Sequence, residues 1–214
     1  MRRRWRRRTA DRLAVAAWCV ALAGCLTPTV PGPEPIAWEG TFVHEPSGFV
    51  FPPAFDAFER VSIHRFDADG RDVGVGYDLD TTLKIALTLY VTPPARWPTG
   101  EPLTLREQFE AEQATIVHLH PRVTARAGWT PGPTCNGASE PRYAVAFRYD
   151  EHFAGARRLV TSVLYLFEYD GWVVKYRATF AAFQEQPAHA VVERFVATFP
   201  WRGAARDHPG ARNA

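Results

Sequence analysis

Lysine, methionine and cysteine are nearly missing from this chain of 214 residues: lysine occurs only as Lys84 and Lys175, methionine once and cysteine three times. Arginine carries the basic charge instead, a compositional bias into which we read no function. The shortage of cysteine excludes a disulfide-stapled fold. Beyond residue 25 a single thiol remains, Cys135, and one thiol cannot close an internal bridge. Chemistry is scarce as well. There is no Gly-x-Ser-x-Gly, no His-Glu-x-x-His and no phosphate loop, so the usual hydrolase, zinc-protease and nucleotide signatures are missing. The long uncharged run over residues 13–24 falls short of the roughly 20 apolar residues that span a bilayer.

What is present begins with arginine. Arg2, Arg3, Arg4, Arg6, Arg7, Arg8 and Arg12 precede that apolar run, which closes on Leu22-Ala23-Gly24-Cys25. A positive start, a short apolar stretch and small residues before a cysteine make up a secretory signal. The closing tetrapeptide resembles the lipobox of bacterial lipoprotein signal peptides. The resemblance implies cleavage between Gly24 and Cys25, a diacylglycerol on the Cys25 sulfur, and acylation of the new amino terminus. Two or more acyl chains hold a protein stably on its membrane, at about 0.8 kcal/mol per buried methylene. An ordinary secretory peptide with an incidental Cys25 is the plainer alternative. Leu26, standing where lipoproteins retained at the inner membrane carry Asp, implies the periplasmic side of the outer membrane in a Gram-negative host. The paired arginines fit twin-arginine export poorly, which leaves the general secretory route ahead.

Residues 1–24 are thus expected to be signal peptide, 25–37 the lipidated cysteine and a Pro-rich tether, 38–202 one domain, and 203–214 a disordered tail. The first 24 residues hold seven of the 25 basic residues and one of the 23 acids. The remainder has 18 against 22, a net charge of −4, so the basic pI of about 8.5 belongs to the signal. That removes the electrostatic case for nucleic acid as a partner.

Within the domain, period-two alternation predicts short strands over residues 41–45 and 48–51 and a meander over 59–67, 72–77 and 83–91. Gly74 and Gly76 leave one strand face bare, which suits close approach by another backbone, the expected reading, or by a ligand. Thr104-Leu105-Arg106-Glu107 is a capping box opening a helix that Pro121 ends. Residues 121–141 read as a long loop and 143–150 as a strand. Asp170-Gly171 between two apolar runs predicts a hairpin over 159–180 with Tyr169 opposite Trp172. That register places Val163, Tyr165, Phe167, Val174, Tyr176 and Phe180 on one aromatic-rich face, and sets Glu168 diagonal to Lys175 on the other. A last helix from about Pro187 carries the stripe Ala188, Val191, Val192, Phe195, Val196, Phe199, expected to dock on that face, with Glu193 outside the stripe. Strands, helix, strands, helix make an α+β fold: an antiparallel β-sheet with two helices packed on it. The element order is similar to that of photosystem-P-like domains, a likeness of fold that carries no function.

The chemical candidates are weak beside their plain readings. Asp67-Ala68-Asp69-Gly70-Arg71-Asp72 has an Arg where a calcium loop needs an oxygen ligand, and reads as a β-turn. His118 and His120 diverge at a helix end and suit its dipole better than a metal. Cys135 sits in a Pro/Gly-rich loop without a recognisable nucleophile motif. No catalytic residue, metal site or cofactor is therefore expected. The function expected is that of a cell-envelope lipoprotein whose domain contacts an unidentified envelope protein. A small-ligand or lipid carrier, and an enzyme with a site scattered over loops, are the alternatives.

Overall fold

Alternating apolar residues and tight turns build most of the architecture in the computed structural model, which describes residues 32–120, 122–126 and 139–202. In chain order the strands are β1 (Glu34–Pro35), β2 (Phe42–His44), β3 (Phe49–Phe51), β4 (Ala54–Phe55), β5 (Phe58–Arg65), β6 (Val73–Asp80) and β7 (Lys84–Thr92). Helix α1 (Leu105–Leu119) follows, then β8 (Thr124–Arg126), β9 (Ser139–Phe153), β10 (Ala156–Tyr169), β11 (Trp172–Ala181) and α2 (Glu185–Thr198). The main sheet is antiparallel, ordered β1-β5-β6-β7-β11-β10-β9-β8, with β4 also on β5; β2 and β3 form a separate hairpin. Among the described residues this is an α+β domain with two helices. Cys25, Cys135 and the tail from residue 203 lie outside the described residues.

The Asp170-Gly171 turn has positive φ at both residues (50° and 76°), the geometry that matches the right-handed twist of its strands. The register is the predicted one, with Tyr169 opposite Trp172, Tyr165 opposite Tyr176 and Thr161 opposite Phe180. Thr104 and Glu107 close the capping box on α1 in both directions. Helix α2 begins two residues before Pro187, after a short 3-10 turn, so the proline stands within the first turn, where its missing N–H breaks no helical bond.

Strand β10 explains the layering. Val160 to Phe167 are eight consecutive buried residues, a run too apolar for a sheet with one wet face. One face meets α2: Phe195 lies 4.8 Å from Phe58 and 5.7 Å from Tyr77 between ring centres. Phe199, Trp201 and the β2–β3 hairpin complete this layer. The other face meets α1 through Phe109 and Ile116, against Val145, Phe147, Leu164 and Leu166.

Four expectations change. Glu34 and Pro35, expected to lie in a tether, instead form β1 opposite Arg65 and His64, and Arg65 donates two hydrogen bonds to Glu34 Oε2 (2.9 and 2.7 Å). The loop over 121–141 contains β8 and the start of β9. Gly74 and Gly76 make room for side chains, not for a backbone: a Cβ at Gly74 would stand 3.0 Å from the Phe66 ring, and one at Gly76 2.5 Å from Ser62 Oγ. Glu193 is no free surface residue, since Tyr165 Oη donates to it at 2.5 Å across the α2 interface.

Candidate functional site

One polar cluster of the domain gathers on the α1 side of β11, because that strand alternates Val174, Tyr176 and Ala178 into the aromatic core with Lys175, Arg177 and Thr179 on the opposite side. Lys175 stands between Tyr90 of β7 and Leu166 of β10, Arg177 between Thr88 and Leu164, and Thr179 between Ala86 and Ser162. The strand is therefore a border. Towards β10 and β9 the face is apolar and α1 covers it. Towards β7 and β6 it turns to Thr88, Ala86, Gly76 and Gly74, a floor of small side chains.

A cleft of about 290 Å³ opens between α1 and the end of β7 that carries Tyr90 and Thr92, lined by Phe66, Asp72, Tyr90, Gln108, Glu112 and Lys175 among others. Lys175 Nζ donates to Glu112 Oε1 at 2.7 Å and lies 4.3 Å from the centre of the Tyr90 ring, so a cation–π contact and an ion pair hold the same ammonium. Burial, then the nearby Asp67 charge, pushes the Asp72 carboxyl above the usual carboxylate range. The ammonium meets Glu112 inside the cleft, and this pair fastens α1 to the sheet.

Arg177 reaches the other way. Its guanidinium donates to Tyr149 Oη at 2.9 Å and to Ser162 Oγ at 3.2 Å, and Thr179 donates to the same Ser162 oxygen at 3.1 Å. His120, the C-cap of α1, stacks on Tyr149 with ring centres 3.8 Å apart. Burial first, and the Arg177 charge second, hold this imidazole below its ordinary pKa of 6.5. His118 points from the last turn of α1 into solvent. Among the described residues no three His, Cys, Asp or Glu side chains are placed to share a metal ion. The Asp67–Asp72 segment is the β5–β6 turn, and Asp67 Oδ1 accepts from the backbone N–H of Arg71 at 2.9 Å and of Asp72 at 3.2 Å.

A serine and a histidine do meet, in the β2–β3 hairpin. His44 Nε2 donates to the Gly70 carbonyl at 2.8 Å, which leaves Nδ1 to accept from Ser47 Oγ at 2.7 Å. Ser47 Oγ in turn accepts from the Phe49 N–H at 3.2 Å. His44 is 1% exposed and edge-on to Trp172, and burial lowers its pKa. The hydroxyl is buried and turned into the hairpin, so the pair ties β2–β3 to the β5–β6 turn instead of presenting a nucleophile.

Spacing could not have found these groups. Lys175 and Glu112 are 63 residues apart and Arg177 and Tyr149 are 28 apart. Only His44 left a trace, at an inward position two residues after Phe42. No family profile, no curated protein and no solved structure matches the chain.

Proposed function

We propose that this protein is a lipid-anchored cell-envelope domain that works by contact with another envelope component, held to its membrane through Cys25. The observation that carries the reading is the sequence Leu22-Ala23-Gly24-Cys25 behind an arginine-rich start and a short apolar run. The packing of the domain supports contact over carriage. The layer between sheet and α2, where a lipid carrier would keep its cavity, is filled by interlocked rings: Phe195 contacts Phe55, Phe58, Tyr77, Tyr176 and Phe199. The polar groups described above are engaged with one another, as befits a rigid scaffold.

Metabolic labelling with a fatty-acid analogue tests the anchor. The full chain, made in a host that processes lipoproteins, takes the label and sediments with membranes. Cys25→Ala abolishes both. Equal labelling of the variant would sink the reading.

A further inference from the structure

Strand pairing fixes which end of the domain the tether leaves. Glu34 stands opposite Arg65, Arg65 opposite Val73, Val73 opposite Val91, and Val91 opposite Val174. The chain therefore enters β1 at the end of the sheet where β7 also finishes. Three inter-strand steps separate β1 from β7, about 15 Å at about 4.8 Å each.

From that same end, immediately after Thr92, the chain makes a loop before α1. It is short, exposed and internally fastened. Trp97 N donates to Glu101 O, Gly100 N to Trp97 O and Leu103 N to Ala95 O, each at 2.8 Å. Arg96 and Pro102 form a β-bridge, and Arg96 Nη1 donates to Gly100 O at 2.8 Å. All this backbone order supports a Trp97 side chain that is 47% exposed. An aromatic held out on a pre-ordered loop loses little entropy when it is buried against a partner.

We infer that the partner of the Trp97 loop is the bilayer surface itself, with this end of the sheet as the membrane-facing pole of the domain. The inference rests on the Cys25 anchor. Nine residue steps lie between Cys25 and Glu34, so even a fully extended tether allows no more than about 30 Å from the lipidated residue to β1. The loop, rooted about 15 Å to the side by the strand spacing, is within that reach. Tryptophan is the side chain that favours the headgroup layer, where its ring is apolar and its N–H stays wet. A neighbouring arginine, Arg96, suits the phosphates of the same layer. The loop acts as a second, weak contact beside the acyl chains and sets the orientation of the domain.

The test uses the full chain, made with fluorinated tryptophan in a lipoprotein-processing host and held in vesicles of phosphatidylcholine and phosphatidylglycerol. Fluorine resonances are recorded with and without a lipid spin-labelled near its headgroup. Trp97 is assigned by loss of its line in Trp97→Phe, and buried Trp201, 2% exposed, serves as the internal reference. Broadening of the Trp97 line several-fold beyond that of Trp201, lost when Cys25→Ala frees the chain, is the expected result. A Trp97 line as sharp as Trp201, in a chain that carries fatty-acid label and stays on the vesicles, overturns the inference while the anchor stands; the loop would then be free for a protein partner. A chain that takes no label and leaves the vesicles overturns both.

Discussion

The two faces of the central sheet are built by different rules. The α2 face is aromatic and continuous: Phe42, Phe51, Phe58, Tyr77, Tyr176, Phe195, Phe199 and Trp201 belong to one buried cluster. The α1 face is divided along β11, apolar under the helix and small or charged beyond it. On the first, adhesion is many ring contacts, each replaceable in direction. On the second, the apolar patch under the helix is joined by a few polar pairs, Lys175 with Glu112 across the interface and Arg177 with Tyr149 within the sheet, whose value lies in their geometry.

The largest expected effect separates the faces by truncation. Phe195 is fully buried at the centre of the aromatic cluster, and Phe195→Ala should cost about 3–5 kcal/mol. Phe109 is 8% exposed at the margin of the other core and, among the described residues, stacks on Tyr143, so Phe109→Ala should cost less, by at least about 1 kcal/mol. The solvent-exposed Gln186 on α2 gives the control, since its replacement by Ala should stay within about 0.5 kcal/mol. Urea melts of the full chain in non-ionic detergent measure all three. Equal losses for the two phenylalanines would mean that the faces carry the domain equally.

That contrast also explains what the sequence could disclose. The aromatic face was legible because both partners announce themselves locally: Asp170-Gly171 sets the hairpin register, and a 3.6-residue stripe marks the docking side of α2. The capping box placed the start of α1 for the same reason. The site on the other face was hidden, because the meaning of Lys175 depends on Glu112, and no local pattern joins them. Glu168, the residue diagonal to Lys175, looked like its partner until the helix supplied a closer one. Glu193 misled in the opposite way: it lies beside the stripe in sequence, yet Tyr165 reaches it.

Titration should set the two sides against each other next. His44 on the hairpin side and His120 on the α1 side both have folded pKa values held below 6.5, chiefly by burial. The unfolded chain takes up these protons more readily, so their contribution is complete above pH 6.5 and is lost as pH falls below it. Asp72 and Asp78, on the α1 side, have raised values, again chiefly through burial. Their sign is opposite: stability falls as pH rises above 3.8, until they are ionised in the folded state too. Melts of His44→Gln between pH 5 and 7 should show a flatter slope than the parent chain. Asp72→Asn should flatten the fall in stability that begins as pH rises above 3.8. A His44→Gln slope identical to the parent would show that the hairpin anchor is indifferent to protonation.

The smallest effect concerns a turn that the sequence concealed. Strand β9 runs to Phe153 and β10 starts at Ala156, so Ala154-Gly155 is a two-residue hairpin turn with φ of 49° and 77°. A primed turn needs positive φ at both positions, which Asn-Gly or Asp-Gly advertises and Ala-Gly does not. The predicted strand therefore stopped at Asp150, three residues short of the real end. An alanine in the left-handed region costs about 1–2 kcal/mol because its Cβ crowds the following carbonyl. Asparagine tolerates that region better, so Ala154→Asn should raise stability by about 0.5–1 kcal/mol. Asp170, at the equivalent place in the β10–β11 turn, already has a side chain of this kind, and Asp170→Ala should lose a similar amount, together with its ion pair to Arg202. The two variants should thus move the urea midpoint in opposite directions. A fall for Ala154→Asn would mean that the β9–β10 turn is held by contacts of the alanine methyl instead of by backbone preference.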